Sequence, residues 1–146
     1  MTARLLGSTL CALLLAGAAN AAAPSQTLGV RLQDSSTDPS LAHMRMVLDR
    51  DALKPGRVTL QAENQSKTLV HEVIVVRDGG GMELPYDAKH NAVAEKRIKS
   101  LGEIADLAPG KRGKLSLDLK AGTYLLICNQ PGHYKDGMSA KVVVAP

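Results

Sequence analysis

Residues 124–144 read YLLICNQPGHYKDGMSAKVVV. Cys128, His133 and Met138 follow one another at intervals of five residues. The stretch opens as a strand, with Tyr124, Leu126 and Cys128 on one face of a period of two. It turns at Pro131-Gly132, where proline pre-sets φ and glycine supplies φ > 0. It then returns to a strand over Lys141-Val142-Val143-Val144. A thiolate, an imidazole and a thioether on one loop between two strands are the makings of a metal site. A second imidazole is missing from the loop, and His71 is the best candidate for it.

A His2Cys set with a weak axial Met is the donor set of an electron-transfer copper site. Thiolate and thioether are soft and favour Cu(I), and imidazole suits both oxidation states. Gly137, just before Met138, lets the backbone bend a second time. Zinc fits less well, because structural zinc sites favour four Cys or His ligands. The chain has no His-x-His pair, so the clusters of multicopper enzymes have no evident ligands. No nucleophile–base–acid arrangement or carboxylate pair stands out either. An enzyme is not expected.

The segment resembles the ligand loop of the cupredoxins, the small blue copper proteins of plastocyanin/azurin type. The Cys-x4-His-x4-Met spacing is similar to that of rusticyanin- and sulfocyanin-type members, whereas plastocyanin has a shorter Cys-to-His gap. The likeness extends more loosely from about Met44, through VTLQAEN and HEVIVV. It implies one type 1 copper, with His71, Cys128 and His133 in the trigonal plane and Met138 axial. It implies that His71 and Cys128 meet at one end of the fold, on neighbouring strands. It also implies that His133 is partly exposed and passes the electron, ringed by small or apolar residues such as Pro131, Gly132 and Gly137. Many cupredoxins carry Asn or Ser directly after the first His ligand; here that position is Glu72.

Outward from this stretch, the other segments repeat a two-residue period. Leu28, Val30 and Leu32 alternate, as do Met44, Met46 and Leu48, and Val58, Leu60 and Ala62. Lys54-Pro55-Gly56 is a turn. In the strand from Val70 to Val76, His71, Val73 and Val75 share one face. Leu115, Leu117 and Leu119 alternate before the Lys120-Ala121-Gly122 turn. Residues 100–107 read as a short strand or an extended edge. Residues 82–99 are the least strand-like, and Asp87 is placed to cap a short helix through Ala88 to Ile98. About seven or eight short strands with regular turns make an all-β Greek-key sandwich or barrel, with a loop or short-helix excursion at 82–99.

The N-terminus has the form of a secretory signal. Arg4 precedes the apolar run Leu5–Ala19, and Ala19-Asn20-Ala21 is an A-x-A-like cleavage site. The run is too short for a comfortable membrane span. Removing residues 1–21 leaves about 125 residues, one domain at 22–146, with no membrane span. The expected location is the periplasm. The mature chain then holds a single cysteine, Cys128, because Cys11 lies in the signal. A lone thiol in an oxidising compartment needs protection, and metal ligation supplies it.

The net charge of +4 is too small to argue for nucleic acid. Phe and Trp are absent, which leaves no aromatic platform for stacking bases. The expected function is an exported single-electron carrier, a monomer meeting redox proteins such as a cytochrome or an oxidase in small, transient contacts. The alternative is a copper-tolerance or copper-delivery protein using the same ligands. The His43-Met44-Arg45-Met46 patch hints at copper handling, although neighbouring strand residues face opposite ways. His90 reads as solvated, and Met82 either packs near the site or is a loop residue.

Overall fold

The computed structural model describes residues 25–34, 44–81 and 83–146. Residues 1–24, 35–43 and 82 lie outside the described residues, and with them the signal expected at 1–21, His43 and Met82. Among the described residues, eleven strands follow in order: β1 Gln26–Asp34, β2 Met44–Leu48, β3 Ala52–Leu53, β4 Gly56–Asn64, β5 His71–Arg77, β6 Tyr86–Asp87, β7 Ala92–Val93, β8 Ser100–Leu107, β9 Arg112–Leu119, β10 Gly122–Ile127 and β11 Ser139–Val144. Three of them, β3, β6 and β7, are only two residues long. The rest fall where the sequence leads one to expect strands.

One sheet has the order β2-β1-β4-β9 and the other β3-β11-β10-β5-β8. β1 pairs antiparallel with β2 and parallel with β4, and β4 and β5 lie in different sheets, so the chain crosses between the sheets as in a Greek-key sandwich. The inner faces meet in one core: Leu28, Val30 and Leu32 from β1 and Val58 and Leu60 from β4 pack with Val73, Val75 and Leu126 of the facing sheet. Each such side chain contributes roughly 1.5–3 kcal/mol on burial. Tyr124 also enters this core, and its hydroxyl donates to the Lys120 carbonyl at 2.8 Å.

β5 departs from simple alternation. Ile74 and Val76, which point away from the main core, are buried too, in a second cluster with Ile127 and Val93. Residues 84–98 form its cover. The Asp87-capped helix expected there is not found. Asp87 does cap, its carboxylate accepting from the N–H groups of Lys89 and His90, but it caps the turn of the β6–β7 hairpin. A three-residue 3-10 turn, Glu95–Arg97, follows. Leu84, Tyr86 and Ile98 pack against the second cluster. Their spacing is irregular because the segment lies across the sheet, and no helical face has to form.

Candidate metal centre

β5 and β10 are hydrogen-bonded neighbours, antiparallel, with Ile74 opposite Ile127. His71 opens β5, and Cys128 follows the last residue of β10. Both point inward at the same end of the sandwich, and neither is exposed to solvent. The loop from Asn129 to Met138 brings in the second imidazole. It is wound from consecutive turns: His133 N–H donates to the Gln130 carbonyl (3.0 Å), Asp136 to Gly132 (3.0 Å) and Gly137 to Tyr134 (3.2 Å). Gly132 and Gly137 have φ of 87° and 98°, values that L side chains rarely adopt.

Three donor atoms converge. His71 Nδ1 lies 3.1 Å from His133 Nδ1. Cys128 Sγ lies 3.4 Å from His133 Nδ1 and 3.9 Å from His71 Nδ1. These sides put the atoms on a circle of radius about 2.0 Å, which matches a metal–imidazole bond of ~2.0–2.1 Å and comes near a metal–thiolate bond of ~2.3 Å. Among the described residues it is the one cluster of three such side chains close enough to share an ion. Met138 is fully buried. Its N–H donates to the His133 carbonyl (2.9 Å), and its carbonyl accepts from Cys128 N–H (3.0 Å).

The electrostatics suit a cation. Burial, with the neighbouring His133, pushes the His71 pKa down to about 4. Burial lowers His133 as well. Both imidazoles are therefore neutral at pH 7, the form that binds metal. Burial pushes the Cys128 thiol up to about 11, while main-chain N–H groups of Gln130 and Glu72 at the sulfur work the other way. An apolar pocket that resists a bare thiolate accepts one paired with a metal ion, so the donor set fits copper.

A ring of polar contacts fixes the cluster. Asn129, directly after Cys128, donates its N–H to the Glu72 carboxylate at 3.0 Å. Its side-chain amide exchanges two bonds with the Val93 main chain (2.6 and 3.0 Å) and donates to Glu95 (2.7 Å). Gly132 N–H donates to the Asn91 carbonyl at 2.7 Å. The segment over residues 84–98 therefore holds the ligand loop from outside. Gln130 donates to Asp106 (3.1 Å), a residue of positive φ in β8 beside the irregular pairing of His71. On the other flank, Asn64 Nδ2 donates to the carbonyls of Leu69 and Leu107, at 2.8 and 2.7 Å. Leu107 is the partner of His71 across the sheet.

Sequence reasoning missed Asn64, Asn129 and Asp106. The only signal for Asn129 is its place after the cysteine; Asn64 reads simply as a strand end. Glu72, whose place after His71 is unusual, turns out to be the acceptor for Asn129. His90 is apart from the cluster, exposed and 2.6 Å from Asp87. Met46 is buried in the main core and Met44 packs against it.

The family model for copper binding proteins, plastocyanin/azurin family, matches residues 43–145. No curated protein matches the chain. Among solved structures, it is similar to dithionite-reduced auracyanin from the photosynthetic bacterium Roseiflexus castenholzii (20% identity, 86% of this chain and 99% of that one, TM-score 0.52). It is also similar to auracyanin B (24% identity, 85% and 91%, TM-score 0.54). Rusticyanin from Thiobacillus ferrooxidans superposes with a TM-score of 0.58 (17% identity, 82% and 77%). These likenesses establish the fold. With the family match spanning most of its length and a donor set of matching chemistry, the chain belongs to the copper-binding plastocyanin/azurin family, the cupredoxins.

Proposed function

We propose that this protein is an exported single-electron carrier whose one type 1 copper is held by His71, Cys128 and His133, with Met138 as the axial ligand. The observation that carries the reading is the triangle of donor atoms, whose common point lies at imidazole-bond distance from both nitrogens and close to thiolate-bond distance from the sulfur. Copper held there supplies a one-electron Cu(I)/Cu(II) couple.

The chain's own residues do the rest. Three ligands come from one loop closed by its own hydrogen bonds, and the fourth from a central strand. The donor set is therefore fixed before the metal arrives and changes little with its charge. Met138, Cys128 and His71 are buried and keep water out. His133 is 9% exposed, more than the other three, and gives the electron its shortest way to the surface. Leu69 and Val70, directly before His71, are 36% and 39% exposed, and Pro131 is exposed beside His133. Such an apolar rim suits brief contact with a redox protein. Export rests on the signal-like residues 1–21, and the periplasm is the compartment in which a lone thiol gains most from ligation. No described helix is long and apolar enough to cross a membrane. The carrier has no need of a substrate pocket, and we read it as a monomer without enzymatic activity.

Reconstitution with Cu(II) tests the site. An intense thiolate-to-copper band is expected and should vanish in Cys128→Ala; a wild-type protein without that band refutes the assignment. Gene deletion tests the role. Lost respiratory electron flow supports the carrier, whereas copper sensitivity with intact respiration points to tolerance or delivery.

A further inference from the structure

The ligand loop is tied to the β6–β7 hairpin on both sides of His133. Gly132 N–H donates to the Asn91 carbonyl at 2.7 Å, and the Lys135 Nζ lies 4.0 Å from the centre of the Tyr86 ring. Within the hairpin, the Tyr86 hydroxyl donates to the side-chain oxygen of Asn91. Asn91 sits at φ 52°, a conformation that asparagine tolerates better than most residues, and Tyr86 reaches across the turn to hold it there. Elsewhere, Gln130 ties the loop to Asp106 at 3.1 Å, and Met44 N–H makes a long bond to the Asp136 carbonyl at 3.4 Å. None of these contacts uses a donor atom of the metal site.

His71, Cys128 and Met138 are wholly enclosed, and His133 is the donor nearest to solvent. The shortest way in for an ion is therefore where His133 stands. The two ends of the loop are joined by the bond from Cys128 N–H to the Met138 carbonyl, so the part that opens is the segment between them, by a local excursion. We propose that the β6–β7 hairpin is the latch on this copper entrance, and that Tyr86 is a positioning residue that keeps Asn91 against Gly132 and thereby keeps His133 closed. The inference rests on the copper site proposed above. The latch contacts run from protein to protein, so they are the same with the metal in or out. Loosening them speeds entry and exit together and leaves the affinity unchanged. A contact that merely stabilised the loaded form would, when lost, speed exit alone.

Tyr86→Phe removes the hydroxyl and keeps the ring for Lys135 and for the second cluster. Uptake of Cu(II) by the copper-free protein and release to an excess of chelator are both followed by the thiolate band. Each rate should rise about three- to tenfold, the usual contribution of one hydrogen bond, with the band and the equilibrium affinity as in the wild type. Asn91→Gly removes the other partner of the same bond at a φ that glycine adopts freely. It should raise both rates as well, and the double variant should go no further. Faster release with unchanged uptake, or two unchanged rates, overturns the proposal and leaves the copper reading standing. A wild-type protein without the band removes both. Should Tyr86→Phe fail to fold, the same two rates in Asn91→Gly decide the matter.

Discussion

Cys128 and Met138 join the two ends of the ligand loop: the Cys128 N–H donates to the Met138 carbonyl at 3.0 Å. The bond extends the β10–β11 ladder by one rung beyond the Ile127–Ser139 pair. Met138 N–H in turn donates to His133. Both ends of the loop are therefore held by protein hydrogen bonds, and their ordering should not depend on copper. In the copper-free protein the amide hydrogens of Cys128 and Met138 should exchange slowly, within about tenfold of their copper-bound rates, a difference of ~1.4 kcal/mol in local opening. Exchange at loop-like rates without copper would mean that the metal builds the site.

The two turns of that loop depend on glycine. At φ of 87° and 98°, an L side chain at Gly132 or Gly137 costs about 1–2 kcal/mol in backbone strain alone. At Gly132 a Cβ would also come within 3.1 Å of Asn91 Nδ2, on the segment that braces the loop. Gly132→Ala and Gly137→Ala should each lower the unfolding midpoint and speed copper loss to a chelator, with Gly137→Ala acting chiefly through Met138. Wild-type release rates in both variants would show that the loop tolerates another path.

Much of this was legible beforehand, because the alternating strands and the Cys-His-Met spacing are local signals. Leu28, Val30 and Leu32 announce an inward face by period alone. Cys128, His133 and Met138 announce a candidate ligand set by their spacing. Two kinds of feature were not legible. Val76 and Ile127 are buried by a segment outside their own strands, residues 84–98, so no pattern within either strand says that their face is covered. Asn64 and Asn129 look like ordinary turn residues until the partners of their amides are known. The Ala88–Ile98 helix failed for the same reason: Asp87 is a sound cap, but the residues after it answer to the sheet beneath them.

Stability of the copper-free protein should depend on pH in a defined way. His71 titrates near 4 when folded against an ordinary 6.5, and His133 is displaced in the same direction. Between these values the unfolded chain binds more protons, so stability falls as the pH drops from about 6.5 toward 4, by on the order of 2–3 kcal/mol for His71. Cys128 acts at the other end. Its folded pKa of about 11 against 9.0 means that the unfolded chain loses its proton first, and stability falls again above pH 9. The apo-protein should be most stable from about pH 6.5 to 9, by urea unfolding. Copper should raise the curve and extend it to alkaline pH, since the bound thiolate has already lost its proton. An apo-protein equally stable at pH 5 and pH 7 would contradict the burial of neutral imidazoles.

Asn64 is the residue outside the ligand set whose loss should be felt most. It is fully buried. Its amide nitrogen serves the carbonyls of Leu69 and Leu107, and its Oδ1 accepts from Ser66 N–H at 2.9 Å. Asn64→Ala leaves three main-chain groups without those partners. An unpaired buried group costs about 1–3 kcal/mol, and water entering the space left by the amide recovers part of it, so a loss of ~2–4 kcal/mol is expected. The position of the damage matters as much as its size. Leu69 lies two residues before His71 and Leu107 lies opposite it, so slack there moves one imidazole relative to a loop that stays closed. The variant should release copper faster and show a broadened thiolate band, whereas an equally destabilising change in the second cluster, such as Ile74→Ala, should leave the band sharp. If the two variants proved spectroscopically alike, Asn64 would be a contributor to global stability only.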